Sequence, residues 1–182
     1  MRRTSEQTKA VILAAARERF GSAGFQGATI RGIAADAGVD PAMVMRYYGS
    51  KDKLFAAAAD FDLRFPDVAA MDPAQIGRSL VRHFLERWDD DALVILLRSS
   101  ATNEEAAQRM QEIFRSQIQP LAASFAPNNE SGLRAGLVAS QILGMALCRF
   151  VLRIPPLVDM TPDEVVDWLG PTIQRYLGLP EG

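Results

Sequence analysis

Between Thr29 and Lys51 the chain reads TIRGIAADAGVDPAMVMRYYGSK, two helix-forming stretches joined across Gly38. Helices this short are marginal in water, so tertiary contacts must hold them. Ile30, Ile33, Ala34 and Ala37 fall at i, i+3, i+4 and i+7 with Thr29 as N-cap, and Gly38 suits the left-handed residue that ends such a helix. Asp40 and Pro41 supply an N-cap and an N1 proline for the second helix, which stops at Gly49. Val39, Val44 and Tyr48 are expected to pack inward. Pro41, Ala42, Met43, Met45, Arg46 and Tyr47 are then left outward, too large a set for a helix that exists only to fill a core.

The rest of the chain carries the same period. Leu13, Ala16 and Phe20 predict a helix over residues 5–21, broken by Gly21, Gly24 and Gly27. Ser50 caps a fourth helix running through Leu54, Phe55 and Ala58 towards Phe65. Pro66 to Pro73 marks a break, and helices are expected near 73–88, 90–101, 103–125, 131–153 and 162–177. Asp89, Asp90 and Asp91 stand at one helix start, where the helix dipole favours negative charge. Thr161-Pro-Asp-Glu164 is a capping box, and Pro171 is expected to kink the last helix. No stretch of useful length alternates with a strand's period. The chain therefore reads as all-α, in three parts: 1–50, a connecting helix over 51–66, and 67–182.

Composition narrows the function classes. One cysteine in 182 residues permits no internal disulfide and suits a reducing compartment. No apolar segment follows Arg2 and Arg3, and Ser140, Gln141 and Arg149 interrupt the most apolar stretch, from Leu137 to Leu152. A soluble, cytoplasmic protein is expected. Residues 1–64 hold 10 Lys/Arg against 7 Asp/Glu, whereas residues 65–182 hold 10 against 15. A basic end on an acidic body suits a polyanion at that end, although an excess of this size also arises by scatter. With His83 as the single histidine and Cys148 as the single cysteine, a His/Cys zinc site is excluded, and no other metal or cofactor is expected. Cys148 reads as a buried, inert thiol.

Helix, glycine turn and second helix is the helix-turn-helix arrangement, whose second helix lies in the DNA major groove. Such units also occur as plain structure. A more specific signal is the series Phe20, Gly24-Phe25, Thr29, Ile33-Ala34, Ala37-Gly38-Val39 and Tyr47-Tyr48-Gly-Ser-Lys51 followed by Leu54. Over about residues 8–58 it resembles the N-terminal domain of the tetracycline-repressor (TetR) family. The resemblance implies a dimeric all-α transcription regulator with a three-helix DNA-binding domain and a helical-bundle C-terminal domain for ligand and dimerisation. It implies that Thr29, Tyr47 and Lys51 meet phosphate, a role suited to helix N-termini and lysine. It places Pro41, Ala42, Met43, Met45 and Arg46 at base-reading positions, with Arg3 and Arg31 also in the DNA-facing set. Met45 stands where the family often has an aromatic, and Asp40 where it often has a small hydroxyl residue. Both bear on operator identity.

In the C-terminal part His83, Trp88, Met110, Phe114, Met145 and Arg149 are the candidate effector-binding residues, with Phe84 and Cys148 nearby in the pattern. Met and aromatic residues at helical spacing are equally the stuff of a core. Two apolar stripes, one with Leu133, Leu137, Ile142 and Met145 and one with Val165, Trp168, Leu169, Ile173, Tyr176 and Leu177, are the candidate dimer surface; Leu137, Met145, Val165, Trp168, Leu169, Ile173 and Tyr176 are its expected contacts. The expected partners are double-stranded operator DNA, a second copy of the chain and a small-molecule effector. A regulator governed by a protein partner without an effector remains an alternative, as does a small helical enzyme.

Overall fold

The computed structural model describes residues 3–88, 91–125 and 130–180, which are helical with no strand. The chain divides into two compact units, Met1–Phe61 with Asp90–Met110, and Asp62–Asp89 with Gln111–Gly182. Residues 90–110, expected with the C-terminal part, thus group with the N-terminal one.

In the first unit α1 spans Ser5–Gly27, α2 Ile30–Ala37, α3 Pro41–Tyr48, α4 Lys51–Ala58 and α6 Asp91–Ser99. The N-terminus of α1 is closed by a capping box of Thr4 and Gln7, and α1 leaves helical geometry at Gly24, later than expected. Ile12, Ala16 and Phe20 of α1 are buried, together with Ile33, Ala34, Val44, Leu54 and Phe55 from α2, α3 and α4. The rings of Phe20 and Phe25 both meet Phe55 edge-on at 5.1 Å, a favoured arrangement for packed aromatics. Ala92, Ile95 and Leu96 bury the face of α6 that packs on α1. Of the acidic cluster only Asp91 belongs to the described residues, and it begins α6 as expected; Asp89 and Asp90 lie outside them. The helix α4 ends at Ala58 rather than near Phe65, and Phe61 and Leu63 are buried from non-helical backbone beyond it.

The second unit is built on α5 (Ile76–Arg87), α9 (Ser131–Ala146) and α11 (Pro162–Leu177), with α10 (Pro155–Asp159) before the last. Two helices acquire π turns. The helix α7 (Glu104–Ile113), which begins in the first unit, passes through one at Phe114–Ile118 into α8 (Gln119–Ala123), and α9 continues into another at Leu147–Val151. Neither turn, nor α10, was expected. The capping box at Thr161 and Glu164 forms, and Pro171 sits inside a helix that continues to Leu177. Residues 131–151 are long and apolar enough to cross a membrane, with mean hydropathy 1.3. Here that helix packs against α8 and α11.

The helices α5 and α11 touch backbone to backbone. A Cβ on Gly77 would collide with the carbonyl oxygen of Gly170 and come within 2.7 Å of the Gln174 nitrogen. Buried Gln174 closes the joint: its Oε1 accepts from the Gly77 N–H at 2.6 Å, and its Nε2 donates to the Pro73 and Pro180 carbonyls at 2.6 and 2.7 Å. Around it Leu80, Val81 and Phe84 of α5 and Val165, Leu169 and Ile173 of α11 are buried. Because the obstacles are backbone atoms, Gly77→Ala cannot be absorbed by a rotamer change. It is expected to destabilise this unit by about 1–3 kcal/mol, the usual range for overpacking. Chemical denaturation followed by circular dichroism measures it.

Candidate functional site

The turn between α2 and α3 is made by backbone geometry. Gly38 adopts φ 64°, ψ 41°, a conformation that costs a residue with a Cβ about 1–2 kcal/mol. The N–H groups of Gly38 and Val39 close the end of α2 on the Ala35 and Ala34 carbonyls at 3.1 and 3.0 Å. The Asp40 carboxylate then accepts from the Ala42 N–H at 2.7 Å and starts α3. Val44 is the fully buried anchor of α3, and the Tyr48 hydroxyl donates to the Lys9 carbonyl of α1 at 3.0 Å. Val39 and Tyr48 are half-buried. Tyr48 titrates above its ordinary value, first because it is partly buried and next because Glu6 is near.

With that anchoring, Ala42, Met45 and Arg46 are exposed, Met45 at 43%, while Pro41, Met43 and Tyr47 are half-buried at its edges. Arg31 is exposed on α2. Thr29 caps α2, its hydroxyl oxygen accepting from the Gly32 N–H at 3.1 Å, which leaves its own O–H free to donate. Lys51 opens α4, next to the Ser50 cap, and its ammonium lies 4.4 Å from the centre of the Phe25 ring. A cation at a helix N-terminus opposes the helix dipole, and a bound anion would relieve that conflict. Arg3 donates to the carbonyl of Ala37 at 3.1 Å, so it is held at the C-terminal end of α2.

One element here left no mark in the sequence pattern. Arg19 of α1 grips Asp36 of α2 through two hydrogen bonds, from Nε to Oδ2 and from Nη2 to Oδ1 at 2.9 Å. The partners are 17 residues apart on different helices, so helical periodicity cannot pair them. The bonds from Arg19 hold the Asp36 carboxyl below its ordinary 3.8.

In the second unit an apolar cavity of about 20 Å³ lies between Val81, Phe84, Leu85 and Trp88 of α5, Ile142, Met145 and Ala146 of α9, Phe150 of the second π turn, and Val165 and Leu169 of α11. That is room for about one water. Of the candidate effector residues, Trp88 and Met145 meet here; His83, Met110, Phe114 and Arg149 do not. Arg149 misses because the π turn puts one extra residue into the helix, so that Phe150 takes the inward position. The Arg149 guanidinium instead donates to the Leu157 carbonyl. His83 donates from Nε2 to the Leu63 carbonyl at 2.7 Å and faces a separate, open groove with Arg78 and Arg82. Met110 closes the first unit, and Phe114 is half-buried at the start of the first π turn. Cys148 is free and half-buried rather than buried.

The apolar stripes also divide. Val165, Leu169, Ile173 and Leu177 face inward and are buried within the protomer, so they are withdrawn from the candidate dimer surface. Met145 belongs to the cavity wall, and Ile142 is buried beside it. Leu133 (67% exposed), Leu137 and Trp168 (77% exposed) remain outward on the adjoining helices α9 and α11, with Tyr176 half-buried. Among the described residues no group of three or more His, Cys, Asp or Glu side chains is placed to hold a metal.

This architecture, a short helix-turn-helix ahead of a helical bundle, is that of a bacterial transcription regulator. Residues 12–58 match the model described as bacterial regulatory proteins, tetR family, and residues 74–177 the model of the tetracyclin repressor-like C-terminal domain. The chain belongs to the TetR family. It is similar to a TetR-family regulator from Streptomyces coelicolor at 26% identity, TM-score 0.62, over 97% of this chain and 98% of that one. It shares its fold with a TetR-like regulator from Rhodococcus (22% identity, TM-score 0.74, covering 97% and 99%) and with NalD of Pseudomonas aeruginosa, the secondary repressor of the MexAB-OprM multidrug efflux pump (24%, 0.72, covering 96% of each). No curated protein matches the chain.

The Arg19–Asp36 pair predicts a pH signature. Because folding lowers the Asp36 pKa, its contribution is present above 3.8 and is lost as pH falls through the lower folded value. Asp36→Asn should therefore lower the thermal midpoint at neutral pH, and the deficit should shrink as pH drops below 3.8. Parallel melts of both proteins from pH 7 to 3 check the sign.

Proposed function

We propose that the chain is a homodimeric repressor that grips a pseudo-palindromic operator, one α3 per half-site, and is released by a small-molecule effector. The observation that carries the reading is the outward face of α3, held by one buried residue, Val44, and flanked by Thr29 and Lys51 at two helix N-termini. That pattern suits base edges in the groove and phosphates on either side. Arg46 is assigned to a base and Lys51 to the backbone. Met45 supplies an apolar contact suited to a thymine methyl. The exposed Leu133, Leu137 and Trp168 supply apolar area for a second copy. NalD, which shares the fold, is a repressor, and repression is the sign of regulation proposed here. The proposed setting is the cytoplasm, with the DNA.

Effector release requires a ligand that binds the DNA-free form better. The cavity is far below the 300 Å³ or so that drug-sized ligands occupy, so the site must open to admit one. The same small volume favours a second reading, a regulator controlled by a protein partner. Sequencing DNA that co-selects with the purified protein, then footprinting it, tests the main proposal; failure to enrich any inverted repeat removes it.

Two predictions follow from the assignments. Arg46→Ala should cost about 1–3 kcal/mol per half-site on the operator and relax preference at one base pair. Lys51→Ala should weaken operator and scrambled DNA alike and lower the salt slope by about one per half-site. Affinities over a salt series separate the two roles. For assembly, Trp168→Glu should turn a dimer into a monomer with weak operator affinity, read by light scattering of the full chain. Leu169 is unsuited to that test, being buried.

A further inference from the structure

We infer that the cavity beside Trp88 takes an uncharged, mainly aromatic molecule bearing one hydrogen-bond acceptor, which the Trp88 indole N–H anchors. The inference rests on the effector reading above and specifies its chemistry. Trp88 is 4% exposed, and its Nε1 is buried with no acceptor from the protein within hydrogen-bonding distance. Buried donors are nearly always paired, so an unpaired one on a side chain that lines the cavity is open to a ligand acceptor. Every other residue of the wall is apolar. A charged ligand would lose its hydration there and gain no counter-ion. The guanidiniums next to wall residues in sequence are engaged elsewhere, Arg82 with Asp163, Arg87 with the Asp62 carbonyl and Arg149 with the Leu157 carbonyl.

The wall also shows how room is made. Trp88 packs against Phe150 with ring centres 5.6 Å apart. Phe150 and Met145 are half-buried, whereas Val81, Phe84, Ile142 and Val165 are buried. Phe150 stands on the π turn Leu147–Val151, and Met145 is unbranched. These two side chains are the movable members, and a flat aromatic ligand takes the place of the Phe150 ring against the indole. Trp88 caps the C-terminal end of α5, and the chain passes into the DNA-binding unit at Asp90.

The test uses the full-length, ¹⁵N-labelled protein, whose two tryptophans give two indole N–H resonances. Trp88→Phe assigns one by its loss. Acetophenone, ethylbenzene and benzoate serve as probes: aromatic with an acceptor, aromatic without one, and aromatic with a charge. Acetophenone should move the Trp88 indole proton downfield and bind the native protein about tenfold more tightly than ethylbenzene, the worth of one hydrogen bond. Benzoate should not bind, and in Trp88→Phe the preference for acetophenone should vanish. Equal binding of acetophenone and ethylbenzene, preferential binding of benzoate, or no probe-induced shift at Trp88 would each overturn the inference. The native-protein titration decides even if Trp88→Phe fails to fold. Operator affinity measured with each probe keeps the two readings apart. If acetophenone shifts Trp88 and leaves operator binding unchanged, the cavity chemistry stands and effector release falls. If the operator is bound and no probe reaches Trp88, the cavity chemistry falls and DNA binding stands.

Discussion

The second unit depends on the contact between α5 and α11 at Gly77 and Gly170. Two helices can approach this closely only where neither carries a side chain, and the approach exposes backbone groups to burial. Gln174 resolves that conflict with three hydrogen bonds, to Gly77, Pro73 and Pro180. Once the backbones are fixed, Val81 and Phe84 must face Val165 and Leu169, and the cavity is the space this pairing leaves under Trp88. The ion pairs Arg78–Asp167 and Arg82–Asp163 run along the same seam. Both are substantially exposed, so they set register more than stability.

The DNA-binding unit follows the opposite logic. Its helices α2, α3 and α4 are eight residues each, below the length at which a helix is stable alone. Side-chain caps at Thr29, Asp40 and Ser50 start them, and burial of Ile33, Val44, Leu54 and Phe55 keeps them, with α2 and α4 packed on α1 and α3 packed on α2 and α4. Few α3 side chains are spent on the core, which is why so many remain available outward. Lys51, placed against its own helix dipole, is a cost that the isolated fold carries.

The second π turn shapes the cavity in a way a regular helix would not. At Leu147–Val151 the inserted residue replaces a guanidinium with a phenyl ring on the cavity wall. The residues lining the cavity are consequently all apolar apart from the indole of Trp88.

The sequence by itself determined the all-α class, the ends of α2 and α3, the capping box at Thr161 and the outward face of α3. Each of these is a local matter: a cap, a left-handed glycine or an i, i+3, i+4 stripe is read within about a turn of the residue it concerns. The family resemblance was equally legible, because it lay in such local motifs between Phe20 and Leu54. Only the tertiary structure decided which apolar stripe is core and which is surface, since Val165 and Trp168 belong to one helical pattern yet one is buried and the other 77% exposed. It alone placed Phe150 rather than Arg149 at the cavity, joined Arg19 to Asp36, and set Gly77 against Gly170. Those outcomes depend on partners 17 to 97 residues away or on one extra residue in a turn, and no period in the chain encodes either.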